Sequence, residues 1–369
     1  MNCEKAQRAW RHFTEESDLF SIEPYGNGHI NDTFLCILRL ADGTVEKRIL
    51  QKMNGKVFAH PEELMKNIVN VTEHLCKKIV ENGGDPLRET LNVIPTLTGE
   101  PYFVDEEGAY WRAYRFITGA VCYEQTGDPK LFEESGYSFG YFQRMLADYP
   151  ADTLYETIQG FHDTRARFRK FLEVVSEDAC NRASSVSEEI AFVLEHENMV
   201  NEMGKIIDGR EIPLRVTHND TKLNNILMDE KSGQGICVID LDTVMPGLAI
   251  NDFGDSIRFG ASTAAEDEKD LKKVSCDMTL FAAFTRGFLK GCGGSLTERE
   301  IELLPLGAKM MTFECGMRFL TDYLQGDIYF KTSRKEHNLD RCRTQFNLVK
   351  DMEMKWEMMN SIISKYRIG

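Results

Sequence analysis

Apolar and polar positions alternate along residues 19–58, and the alternation breaks twice. The first break is Gly26-Asn27-Gly28, inside LFSIEPYGNGHINDTFLCILRL; the second is Ala41–Thr44, ahead of VEKRILQKM. Period-two runs bounded by such residues predict strands, and the Asp-Gly of the second break predicts a hairpin. Glycine inside a strand-like run lets a ligand approach the backbone closely. Over 62–82 the period lengthens: Leu64, Ile68, Val71, Leu75 and Ile79 repeat every three or four residues and stop at Gly83-Gly84, which predicts a helix. Strand-like pieces return near 92–105 and 109–117.

Past Thr118-Gly119 helical spacing takes over. Asp128-Pro129 supplies an N-cap and a proline for the first helical position, ahead of Phe139, Phe142 and Leu146. Asp163 reads as another helix cap. A helix is predicted over 186–208, and nearly everything from 266 onward is helical in pattern, with Thr297 and Glu300 spaced as a capping box. The methionines near 352–359 fall at helical spacing and read as core. One stretch, 212–255, interrupts the helices with short strands at Leu214–Thr217, Ile226–Met228 and Ile236–Ile239. The expected architecture is therefore α+β: a small β-rich lobe at 1–117 and a larger, mainly helical lobe at 118–369.

Composition narrows the function. The 369 residues carry a net charge of -15, which disfavours nucleic acid and anionic membranes as partners. The ten cysteines form no Cys-x-x-Cys pair, as expected of free thiols in a reducing compartment. No apolar signal core or membrane-length apolar run appears, so a cytoplasmic location is expected. A monomer is the expected form.

The chemistry lies in the interruption, IPLRVTHNDTKLNNILMDEKSGQGICVIDLDTVMPGLAINDFGDSIR. A polar loop between short buried strands is costly unless its groups bind something. His218-x-Asp220-x-x-x-x-Asn225 is the spacing of a kinase catalytic loop. Phosphoryl transfer accounts for the residue types. An aspartate takes the proton of the attacking hydroxyl, and an asparagine oxygen and a second aspartate bind Mg2+, which prefers hard oxygen donors. The literal Asp-Phe-Gly at 252–254 competes for that second role. Asp240 is the better metal ligand, because it ends a strand within the next hairpin, with Asp242 as an assistant on the same face. Asp252 and Asp255 are expected to hold the loop or to cap the segment that follows. Asn224 replaces Asn225 if the loop shifts by one residue, and His218 reads as a brace for the loop.

These residues carry a resemblance. His218-Asn219-Asp220, Asn225, Ile239-Asp240 and Asp252 resemble the aminoglycoside phosphotransferase/choline kinase superfamily. IEPYGNGHIN, ILQKMN, PLRVTHNDTKLNNILMD, FGDSIRFGAS, ECGMRFL and GDIYF, spread over residues 22 to 330, are similar to bacterial N-acetylhexosamine 1-kinases. The resemblance implies a protein-kinase-like bilobal fold. It also implies ATP and Mg2+ as cofactors, and phosphorylation of the anomeric hydroxyl of N-acetylglucosamine or N-acetylgalactosamine for salvage. It places the base role on Asp220 and metal roles on Asn225 and Asp240.

The expected nucleotide contacts are Gly26, Gly28 and Asn31 of the glycine loop, Gln51, and the hinge residues Arg115, Phe116 and Ile117. Two departures stand out. The loop is Gly-x-Gly-x-x-Asn, and Gln51 occupies the third strand where many kinases carry a phosphate-binding lysine. Lys52 should face the other way, and Glu62, Glu63 and Glu73 remain open as partners from the helix. Candidate substrate contacts are His29, Asp220, Glu314, Arg318 and Tyr329. For His29 the rival reading is a solvated loop residue; for Glu314 and Arg318 it is a surface ion pair. Two rival functions stay open: a kinase of an amino alcohol, an antibiotic or a different sugar, and a nucleotide-binding protein without catalysis. Asp322 and Asp327 favour a cationic substrate, and Arg318 opposes one.

Overall fold

A computed structural model describes residues 3–14, 19–26, 30–40 and 42–367. In chain order the first elements are α1 (Cys3–Trp10), β1 (Leu19–Pro24), β2 (Asp32–Arg39), β3 (Val45–Lys52), α2 (Pro61–Glu81), α3 (Pro86–Glu89), β4 (Val93–Ile94), β5 (Phe103–Val104), β6 (Tyr110–Arg115) and β7 (Ala120–Val121). There follow α4 (Pro129–Met145), α5 (Thr164–Glu177), α6 (Ser187–Glu195), α7 (Glu197–Asp208), β8 (Arg215–Thr217), β9 (Ile226–Asp229), β10 (Gly235–Val238) and β11 (Met245–Gly247). The chain closes with α8 (Ala249–Gly260), α9 (Met278–Cys292), α10 (Glu298–Leu324), α11 (His337–Met354) and α12 (Trp356–Tyr366). The mixed α+β fold is the expected one. The chain forms two compact units: Met1–Val121 with Asp148–Gln159 and Leu227–Met245, and the remainder.

In the first unit an antiparallel sheet runs β1-β2-β3-β6-β4, with β5 also paired to β6. Alternation along the strands gives the sheet two different faces. One packs Phe34, Cys36, Leu38, Leu50, Trp111 and Ala113 against Ala6, Ala9 and Trp10 of α1. Lys52 lies on this face, its ammonium 6.0 Å from the Trp111 ring, as its place in the strand requires. The other face carries Gln51, directly opposite Arg112 in the β3–β6 register. The strand-like run at 92–105 yields only β4 and β5, because a turn closed by Gly99 N–H on the Thr96 carbonyl separates them.

In the second unit the tightest packing is between α4 and α9. Each carries glycine at a four-residue spacing, Gly136 and Gly140 against Gly287 and Gly291. A Cβ at Gly136 would sit 2.4 Å from the Phe284 carbonyl oxygen, and one at Gly287 would sit 1.9 Å from that of Glu133. The two backbones therefore touch, and any side chain there would force them apart. α8 meets α10 in the same way: a Cβ at Gly254 would lie 2.4 Å from the Gly307 carbonyl oxygen. The Thr297–Glu300 capping box forms at the start of α10. Asp128 and Asp163 cap α4 and α5, accepting N–H bonds from Lys130 and Ala166.

Two helical expectations need correction. The helix expected over 186–208 is divided at His196 into α6 and α7; the His196 ring bonds the Phe192 carbonyl and ends the first segment. The stretch from 266 to the start of α9 is turns and a short 3-10 segment. Its charged run lacks an apolar stripe to bury, and the Asn347 amide takes its Leu271 and Val274 carbonyls in place of helical bonds. Among the described residues no helix is long and apolar enough to cross a membrane. All ten cysteines are free.

Candidate active site

In the second unit, β8 delivers the chain into the loop at 218–225, and α8 holds that loop from beneath. The Asp252 carboxylate accepts the backbone N–H groups of His218 at 2.9 Å and Asn219 at 2.8 Å, and the Gln143 amide at 2.6 Å. Its own carbonyl accepts the Thr221 hydroxyl at 2.5 Å. This anchor lets Asn219 hold a left-handed backbone, φ 63°, which an ordinary side chain rarely adopts. The Asp-Phe-Gly letters are thus a helix segment in which every residue has a structural task. Asp252 anchors the loop, Phe253 packs among Phe281, Phe284 and Phe288, and Gly254 allows contact with α10.

His218 braces the loop. Its ring lies edge-on to Phe139 and Phe142 of α4, and Nδ1 accepts the Asp220 N–H at 3.3 Å. The Asn225 amide nitrogen donates to the Asp220 carbonyl at 2.7 Å and to its carboxylate at 3.3 Å. Asn224 instead donates to Glu124 at 3.1 Å. Lys222 reaches the Asp220 carboxylate at 2.7 Å. Burial works against the Lys222 ammonium, but Asp220 and then Asp255 outweigh it and raise its pKa. Asp255 in turn pairs with Arg258 one turn along α8, at 2.9 Å.

In the first unit, Asp240 follows β10 and is itself left-handed, φ 58°. Asp242 follows within the same turn. Its carboxylate is committed: Arg112 Nη1 lies 2.5 Å from Oδ1, and the Asn31 amide donates to Oδ2 at 2.7 Å. Arg112 Nε also donates to Gln51 Oε1 at 3.0 Å, and Gln51 Nε2 donates to Thr33. Burial opposes the Arg112 charge, yet Asp242 and, more weakly, Asp240 hold the guanidinium protonated with its pKa raised. None of the glutamates of α2 takes the expected partner role among the described contacts. Glu62 bonds the Tyr110 hydroxyl, and the α2 residue against Arg112 is Met65.

The second unit also holds a pocket of about 300 Å³, lined among others by Arg167, Lys170, Arg318, Asp322, Tyr329 and Phe330. Glu314, four residues before Arg318, is not part of a surface ion pair. It is 1% exposed and bonded by His162 at 3.0 Å and Thr164 at 2.5 Å, with Arg167 at 3.4 Å. Burial would raise its pKa, but the His162 bond and the charges of His162, Arg167 and Arg318 prevail and hold it at about 2. The Arg318 guanidinium stands over the rings of Phe161, Tyr329 and Phe330 at 5.4, 6.0 and 5.4 Å.

A family model described as the phosphotransferase enzyme family matches residues 21–272. The chain belongs to that family. Solved kinases share its fold at low sequence identity. A microcompartment-associated aminopropanol kinase has a TM-score of 0.60 at 15% identity, covering 97% of this chain and 99% of that one. An amicoumacin kinase, solved with AMP-PNP and Ca2+, has a TM-score of 0.57 at 13% identity, covering 95% and 92%. Plasmodium vivax ethanolamine kinase has a TM-score of 0.57 at 12% identity, covering 90% and 84%.

This phosphotransferase places its other expected contacts as follows. Gly26 turns the chain with φ 74°, a conformation only glycine adopts freely; Gly28 and His29 lie outside the described residues. Arg115 reaches Glu46 at 3.5 Å, Phe116 meets Tyr25 edge-on at 5.9 Å, and Ile117 is buried. Arg112, Lys222 and His162 were not singled out by the sequence. Lys222 had a signal, two residues after Asp220 in the loop; Arg112 and His162 had none, because their partners lie far along the chain.

Proposed function

We propose that this phosphotransferase uses Mg-ATP to phosphorylate the anomeric hydroxyl of an N-acetylhexosamine. The observation that carries the choice of substrate is the charge of the pocket beside Tyr329. Kinases of amino alcohols or aminoglycosides must receive a cation, for which free carboxylates are needed. Here the acidic residues that would favour a cation are already engaged. Asp322 accepts the backbone N–H groups of Ile328, Tyr329 and Phe330 and the Asn338 amide. Asp327 pairs with Arg182 at 2.6 Å. The pocket is also lined by Arg167, Lys170 and Arg318; Arg167 bonds the Phe161 carbonyl and Lys170 pairs with Glu173, while the Arg318 guanidinium stands over the aromatic rings. Guanidinium groups suit hydroxyl and acetamide oxygens, and Tyr329 offers a face for a sugar ring.

In this reading Asp220 accepts the proton of the anomeric hydroxyl as its oxygen bonds to the γ-phosphorus. The bond to the β–γ bridging oxygen breaks, and ADP leaves. Lys222 holds the Asp220 carboxylate in place. Asn225 and Asp240 offer oxygen donors of the type Mg2+ prefers. When bound, the ion neutralises charge on the phosphates. Glu314 arranges Arg167 and Arg318, which bind the sugar.

Phosphorus NMR of the purified chain with ATP, Mg2+ and each N-acetylhexosamine tests this. A new anomeric phosphate signal, matched by ADP, is the expected result. Turnover with ethanolamine or aminopropanol but with no sugar would overturn it in favour of a cationic acceptor.

A further inference from the structure

Kinases commonly hold a strand lysine against a helix glutamate to position the nucleotide phosphates. Gln51 stands where that lysine is expected, and among the described contacts no α2 glutamate takes the partner role, yet a different charge pair is buried on the same sheet face. Arg112 and Asp242 are 1% and 4% exposed. A buried ion pair gains little net stability over an apolar one, so its retention asks for a reason beyond folding. Its connections supply one. Arg112 is fixed twice, by Gln51 across the β3–β6 register and by Asp242. The other oxygen of Asp242 holds Asn31, the residue directly before β2, at 2.7 Å. Asn31 Oδ1 in turn accepts the N–H of Asn54, just past β3, at 3.0 Å. The chain of bonds therefore runs from the sheet, through Asp242 two residues after Asp240, to Asn31 at the start of β2.

We propose that Arg112 is a positioning residue for the nucleotide, fixing Asp242 and through it Asn31, so that the start of β2 and the Asp240 segment are set before Mg-ATP binds. The inference rests on the phosphotransferase reading above. Arg112 takes over the anchoring task of the missing lysine, with its cation on β6 and its counter-charge on the Asp240–Asp242 turn instead of α2. A lysine could not replace it, because only the guanidinium fork satisfies Gln51 and Asp242 together.

The test uses the full chain and reads Mg-ATP and Mg-ADP affinity by titration calorimetry alongside thermal melting. Arg112→Gln and Asp242→Asn each leave a buried charge alone, and both should melt earlier and bind Mg-ATP about tenfold or more weakly, as supporting residues around a metal site do. The double variant Arg112→Gln/Asp242→Asn removes both charges and should recover the melting temperature without recovering the affinity. Arg112→Lys keeps the charge but leaves Gln51 or Asp242 short of a partner, and should lose affinity while melting less early than Arg112→Gln. Recovery of both properties in the double variant would make the pair merely structural and overturn the proposal, as would wild-type affinity in Arg112→Lys. A wild-type chain that binds no Mg-ATP at all would instead overturn the phosphotransferase reading, and this inference with it.

Discussion

Asp252 accepts the backbone N–H of His218 at 2.9 Å, across 34 residues of chain. That bond, with its neighbour from Asn219, converts a helix residue into the support of the loop that presents Asp220. Asp252→Ala strands these buried donors, and each unpaired group costs about 1–3 kcal/mol. A loss of about 2–4 kcal/mol in urea unfolding is expected. Asp240→Asn, which keeps a residue type tolerated at φ 58°, should cost less stability and sharply lower turnover, since Asp240 is proposed to bind metal. Equal stability losses would remove the distinction drawn between the two aspartates.

The loop also depends on α4, which contributes Phe139, Phe142 and Gln143. Gly287→Ala places a methyl group 1.9 Å from the Glu133 carbonyl oxygen of that helix. Overpacking of this kind costs about 1–3 kcal/mol. The variant should melt earlier and lose part of its turnover although no catalytic side chain is altered. Full activity at wild-type stability would show that α4 and α9 separate freely.

Asp220→Asn preserves shape and removes the proton acceptor. Turnover should fall by about 10²–10⁴, with Mg-ATP affinity nearly unchanged. A measurement of single-turnover rates at saturating acceptor separates this from lost binding. Near wild-type rates would dismiss the base role.

Glu314 makes stability depend on pH. Its carboxyl is held at about 2 in the folded protein, against an ordinary 4.5. A depressed folded pKa contributes stability above the unfolded value and loses it as pH falls through the folded value. The difference corresponds to about 3 kcal/mol at neutral pH. Glu314→Gln should therefore be destabilised by roughly that amount at pH 7, and its gap to wild type should shrink between pH 4.5 and 2. A gap that stays constant through that window would mean that charge on Glu314 plays no part.

Much of this was legible in the chain itself. Period-two alternation over 19–58 and period-3.6 spacing from Leu64 onward reflect which side of an element meets apolar surroundings, and that is a local property. The spacing of Asp220, Asn225 and Asp240 is local too, because one short loop and one hairpin carry all of them. Chain distance likewise set the Asp-Phe-Gly letters outside the hairpin, and they lie in α8. Tertiary structure decided the rest. Gln51 finds its cation 61 residues away on β6, Asp242 finds Asn31 211 residues back, and Glu314 meets His162 across 152. No periodicity encodes such pairs, since each depends on which strands and helices come to lie side by side. Burial then turns them from ordinary surface charges into fixed ones: a charge removed from water persists only where a partner of opposite sign is already in place.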